Sequence, residues 1–346
     1  MSIHLSVEKT MTISMSNQTM VTEFILLGFP GLQANFFLPV SFAMFFEFII
    51  SLLANSTVIT IIILREQLHH PMYIIIANLA LSDLIYDTIA LPKIIAKYWF
   101  GAGSISFNWC FFQLFCVHSL GSLDSFIIML MAIDRYVAIC KPLRYHSIIS
   151  NKLVTLLCCL FWLFAFLIGL AMTLIAVQLP YCGLNRVKNC VCASPAVIVL
   201  ACVDASLERK KGFIISMCVH LLPLAVIILS YILIIRVVHL SANNGNWQKA
   251  FYTCTTHLIV IGLFFIPRLF LYIINQIPVM LDADVNMLIV FLFTFIPHLA
   301  NPIIFCLRTK EIRCILRQMF SSICPRTEHR FRTPVQRHGI SILKGH

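Results

Sequence analysis

The 346-residue chain is 60% hydrophobic and 11% charged, against roughly 45–50% and 25% for soluble domains. So apolar a chain of this length cannot cover its surface with polar side chains, which excludes a soluble globular protein. The formal net charge of +11 comes from 25 Lys and Arg against 14 Asp and Glu, and the placement of those cations turns out to matter more than their number.

In chain order, residues 1–35 form a polar, interrupted arm. No cleavable signal peptide is visible in it, so the first apolar segment has to serve as the targeting signal. Asn17-Gln18-Thr19 is a glycosylation sequon on this arm; Asn55-Ser56-Thr57 also matches but falls inside an apolar run and is discounted. Seven segments follow, at about 36–64, 72–98, 107–133, 153–178, 212–238, 255–278 and 286–307, each long enough to cross the hydrocarbon core of a bilayer. Lipid satisfies no backbone hydrogen bonds, so these segments are expected to be helices. The alternation of a membrane β-barrel is absent. The predicted architecture is all-α, a seven-helix transmembrane bundle over 36–308. Residues 309–320 place Ile312, Ile315, Leu316 and Met319 at helical spacing between Lys310, Arg313 and Arg317, a short amphipathic helix lying on the membrane surface. Residues 321–346 read as a basic, disordered tail, in which Cys324 is a palmitoylation candidate.

Most Lys and Arg fall in one set of flanks: Arg65, Arg135, Lys141, Arg144, Lys152, Arg236, Lys249 and the tail from Arg308. The positive-inside rule makes that set cytoplasmic and the N-terminus extracellular; Arg209-Lys210-Lys211 runs against this count without reversing it. Anionic inner-leaflet lipid, rather than nucleic acid, is the partner that such a tail suggests. Of the 14 cysteines, Cys110, Cys182, Cys190, Cys192 and Cys202 then face an oxidising compartment, where disulfides persist. A bridge from Cys110 to the long loop between the fourth and fifth segments would pin that loop over the bundle mouth. No Cys/His spacing resembles a zinc site, and no repeat or catalytic constellation points to a transporter or a membrane enzyme.

Asp134-Arg135-Tyr136 ends the third segment where lipid gives way to a basic loop. With seven predicted spans and an external N-terminus, this run resembles the rhodopsin-like G-protein-coupled receptors. Within that class the chain looks like an odorant receptor. The extended run Met131 to Tyr145, the loop Leu68-His69-His70-Pro71-Met72-Tyr73, the stretch Lys249 to Leu258, the stretch Pro297 to Phe305 and the opening Glu23 to Phe29 all resemble that family's signatures. The matches span residues 23 to 313, and the long loop with Pro267 leans towards the fish-like class. Ile133, Tyr252 and Phe305 depart from the usual residues, and Ala193 follows Cys192 where an acid is usual.

The resemblance implies a receptor, not an enzyme. It would sit in the plasma membrane, bind a small odorant, and activate a stimulatory heterotrimeric G protein that raises cyclic AMP. A non-olfactory chemosensor is the alternative. It implies that Asp134 holds Arg135 at rest and releases it on activation, with Tyr136 completing the switch. It also implies disulfides Cys110–Cys192 and Cys182–Cys202, leaving Cys190 over as a competitor.

Depth along the helices, at about 1.5 Å per residue, places Asp83 and Asp124 together near the bilayer centre. They form either a protonated, hydrogen-bonded pair or, with Asn55 and Asn301, a sodium site; no other cofactor is implied. His118 and Arg268 fall in the outer third. An intramembrane Arg is a functional candidate, and with His118 it would hold a ligand carboxylate; otherwise it snorkels to external headgroups or pairs with Asp282 or Asp284. Phe115, Gly121, Phe265 and Tyr272, with Leu120 and Phe264, either line an apolar cavity or simply pack. No acid stands at or next to Val117, where amine receptors carry their counter-ion, so an amine ligand is not expected.

Overall fold

The computed structural model describes residues 21–240, 244–274, 282–308 and 310–320. Among them, seven helices are long and apolar enough to cross a membrane: α1 (Phe37–Leu64), α2 (Pro71–Phe100), α3 (Phe107–Cys140), α4 (Asn151–Val177), α5 (Ser206–Leu240), α6 (Asn244–Ile274) and α7 (Ala283–Arg308). Local chemistry sets several of their ends. Pro71 occupies the first turn of α2, where its missing N–H costs nothing. The hydroxyls of Ser106 and Ser150 accept from Trp109 N and Leu153 N and so cap α3 and α4. Gly101, at φ 70°, stops α2 in the left-handed region.

Three helices outrun their apolar segments. α3 continues to Cys140, α5 begins at Ser206, and α6 begins at Asn244. Apolar content marks the length that crosses lipid, whereas the backbone stays helical for one or more polar turns beyond it.

The bundle is organised around α3, where 72% of the lipid-crossing window is buried, against 17% in α1. α4 packs closely on it at Gly169: a Cβ there would come within 1.9 Å of Ser119 Oγ. The outer face of α4 exposes Leu156, Leu160, Leu163, Phe164 and Leu167, an apolar belt suited to lipid tails. A short helix, α8 (Lys310–Phe320), follows α7 and buries Ile312 and Ile315 against the bundle, while Tyr73 donates to Glu311 at 3.3 Å.

The arm expected over 1–35 is not wholly free. Glu23–Leu26 forms β1, central in a three-stranded sheet, antiparallel to β2 (Ser104–Ser106) and parallel to β3 (Arg186–Val187). Alternate residues Phe24 and Leu26 are fully buried beneath it, and that burial fixes the register of so short a strand. The sheet is a small addition to the all-α bundle. Beyond it, Gly28 (φ 62°) turns the chain where a Cβ would lie 2.3 Å from Tyr98 Oη, and Asp284 accepts from Gly31 N at 3.0 Å.

Candidate functional site

The sheet end of the bundle is closed by the loop between α4 and α5, which α3 holds at three points. Cys110 bridges Cys192. Gln113 Oε1 accepts from Cys192 N at 2.8 Å. His118 Nε2 accepts from Ser194 N at 3.2 Å. The second bridge, Cys182–Cys202, closes the loop on itself, so the structure carries both pairings that the resemblance implied. Cys190 remains a free thiol, and burial pushes it up to about 12. It is therefore protonated and a poor competitor in exchange.

Beneath this lid lies a cavity of about 870 Å³. His118, Gly121, Arg268 and Tyr272 line it, as does His220, a residue the sequence reading did not single out. His220 Nδ1 lies 2.7 Å from the Ser216 carbonyl, which fixes the proton on that nitrogen. Nε2 then offers its lone pair to Arg268 Nη1 at 3.5 Å. The guanidinium also stacks over Phe264, 4.0 Å from the ring centroid. Arg268 is 5% exposed, so it does not snorkel to the surface. Asp284 accepts from Gly31 N, and Asp282 accepts from Asp284 N. Arg186, Lys188 and Arg209 also line the cavity, and among its described lining residues there is no Asp or Glu.

Two expected lining residues are corrected. Phe115 stacks edge-on against Phe166 at 5.0 Å, and Phe265 is 1% exposed against Phe264. Helical spacing placed both near the cavity height, but their azimuths turn them into the helix packing.

One layer below, Asp83 and Asp124 come together as expected, with an unforeseen side chain between them. His298 of α7 puts Nε2 3.6 Å from Asp83 Oδ1 and 3.9 Å from Asp124 Oδ2, while Nδ1 lies 2.7 Å from Asp87 Oδ1. Ser51 holds the other Asp87 oxygen at 2.5 Å, and Ser82 donates to Asp124 at 2.7 Å. Asn301 donates to Asp83 at 3.0 Å, whereas Asn55 turns its amide to the His298 carbonyl and to Ser51. Both Glu47 oxygens are buried without a hydrogen-bond partner. The His298 ring meets Tyr86, which lines the cavity, edge-on at 5.0 Å.

At the far end of α3, Arg135 pairs with Asp134 at 3.6 Å. Asp134 is 1% exposed and also accepts from Tyr145 Oη at 2.6 Å. Burial, reinforced by that acceptor, pushes the Tyr145 hydroxyl up, so it stays a donor. Tyr136 packs between the two core clusters that meet at this end of α3. Asn17 and Cys324 lie outside the described residues.

Residues 44–323 match the olfactory receptor family. The chain belongs to it. The human olfactory receptor 56A5 is 36% identical over 88% of this chain and 97% of its own length. Human olfactory receptor 6B1 is 34% identical over 89% and 97%, and human olfactory receptor 52K2 is 34% identical over 87% and 96%. The molecule is thus an odorant G-protein-coupled receptor of the multi-pass plasma-membrane type, not an enzyme.

Proposed function

We propose that this olfactory receptor binds a small acidic odorant in the cavity beneath the loop lid and activates a stimulatory G protein that raises cyclic AMP. In this reading the sheet end faces outside the cell and the Asp134 end faces the cytoplasm. One observation carries it. A single buried helix, α3, lines the cavity at His118 and Gly121 and bears the Asp134–Arg135 pair, so a ligand that favours one α3–α6 arrangement shifts the population at the pair.

The acidic class follows from the lining, which carries four cations and two imidazoles. A ligand carboxylate there gains charge-assisted bonds that an amine cannot. The His118 lone pair is committed to Ser194 N, so His118 serves the lid, and Arg268, positioned by the His220 lone pair, forms the main anchor.

Two measurements test this. Cyclic AMP responses to a panel of carboxylic acids, amino acids, alcohols and aldehydes are expected to be strongest for acids. Arg135→Ala is expected to reach the cell surface and lose the response; a normal response would end the switch reading.

A further inference from the structure

We infer that Arg186, Lys188 and Arg209 form a second anion subsite at the mouth of the cavity, and that the preferred ligand is a diacid long enough to reach from them to Arg268. The inference rests on the acidic-odorant reading and adds a second charge to the ligand.

One wall of the cavity joins its two ends. α5 contributes Arg209, Gly212, Phe213, Ser216, Val219 and His220, a stripe at helical spacing on one face. Arg209 precedes His220 by eleven residues, just over three turns, so the two share a face and stand about 16 Å apart along the axis. His220 Nε2 lies 3.5 Å from Arg268 Nη1, which ties the inner end of the stripe to the buried guanidinium. Between the ends the lining is mainly apolar, with Phe213 and Val219 on α5, Met172 on α4 and Ile198 in the lid. Gly212 leaves room at the level of Met172, whose methyl stands 3.5 Å from where a Cβ would be.

The two ends differ in exposure. Arg268 is buried, whereas Arg186, Lys188 and Arg209 are exposed. These three cations come to one rim from β3, the residue after it and the start of α5. Like charges gathered in this way repel one another until an anion joins them. Nearby acids are engaged elsewhere. Glu208 pairs with Lys211 at 3.7 Å, Asp204 accepts from both Ser206 N and Ser206 Oγ, and Glu23 accepts from Ser104. A monoacid held at Arg268 therefore ends an uncharged tail among uncompensated cations. A second carboxylate at that end meets them. An extended carbon chain gains about 1.3 Å per bond, and each carboxylate–cation contact spans about 2.8 Å. Diacids of about eight to ten carbons then bridge the two levels.

The test is thermal-midpoint titration of the purified full-length receptor with octanoate, octanedioate, butanoate and butanedioate. Octanedioate is expected to bind about three- to tenfold more tightly than octanoate, while butanedioate, too short to span, gains nothing over butanoate. Raising the salt from about 0.05 to 0.5 M should erode the eight-carbon advantage, because the mouth is exposed. The variant Arg186→Gln/Lys188→Gln/Arg209→Gln changes only exposed side chains. It is expected to bind octanoate as the wild type does and to lose the preference for octanedioate. Three results overturn the inference: equal binding of the two eight-carbon acids by the wild type, an advantage just as large at four carbons, or one that survives in the triple variant. Binding of octanoate without a diacid preference defeats the second subsite alone, whereas binding of neither acid defeats the acidic-odorant reading and this inference with it. Should the triple variant fail to fold, the chain-length and salt dependences of the wild type decide the matter.

Discussion

Two polar layers stand one above the other across α3, and they solve opposite problems. The upper layer, Arg268 with His220 and His118, opens on a cavity whose described lining contains no acid. The lower layer gathers Asp83, Asp87 and Asp124 around one imidazole, all of them 2% exposed or less. Asp124 lies only three residues past Gly121, about 4.5 Å of helix rise. A basic group beside a cavity can be neutralised by a visitor. A sealed acidic group must find its cation within the fold. The upper layer is therefore built for exchange and the lower one for stability.

Substitution should separate the layers, and the largest effect belongs to the lower. Asp87→Ala strips His298 of its closest partner and leaves Ser51 without its acceptor. Removing one member of a buried pair typically costs about 3–5 kcal/mol, so we expect a sharply lowered thermal midpoint and little protein at the cell surface. Arg268→Ala, in contrast, should fold and reach the surface. Its loss of a charge-assisted anchor, about 1.5–3 kcal/mol, should weaken acid odorants by roughly 10–100-fold and leave neutral ligands unchanged in cyclic AMP assays. Equal damage to folding from both substitutions would dissolve the distinction between the layers.

The two layers were unequally legible in the sequence. Helix rise alone set Asp83 level with Asp124 and put His118 and Arg268 at cavity height, because depth is a one-dimensional property that a sequence carries directly. Azimuth is not, so helical spacing leaves Phe115 and Phe265 open between the cavity and plain packing and gives no signal for His220. His298 lies inside the Pro297–Phe305 stretch, yet its meeting with Asp87, 211 residues away, is a tertiary event with no local spacing to announce it. Tyr145 is the counterpart at the Asp134–Arg135 pair. It sat in the Met131–Tyr145 run, but only the turn after α3 brings its hydroxyl to Asp134. Strand β1 was missed because four residues in a polar arm carry too few alternations to stand out.

Smaller effects test the lid. His118→Phe should keep the bundle intact but remove the acceptor for Ser194 N. A neutral hydrogen bond of about 0.5–1.5 kcal/mol is at stake, so odorant potency should fall by about 2–12-fold, with acids and neutral ligands affected alike. Sensitivity confined to acids would instead make His118 a direct anchor.

Two glycines give the finest contrast. Gly169→Ala forces a Cβ into Ser119 Oγ at 1.9 Å and the Phe115 carbonyl at 2.7 Å, so α3 and α4 must part, at about 1–3 kcal/mol of stability. Gly121→Ala meets only Arg268 Nη2, at 3.9 Å, an ordinary contact. The fold should not register it, and the thermal midpoint should stay at the wild-type value. Yet the added methyl occupies space beside the guanidinium, where the proposed acidic odorant would set its carboxylate. Acid potency should drop by about threefold, or roughly 0.65 kcal/mol, with neutral ligands unmoved. A Gly121→Ala receptor equally sensitive to every acid would place the bound carboxylate on another side of Arg268, towards His220 and Tyr272.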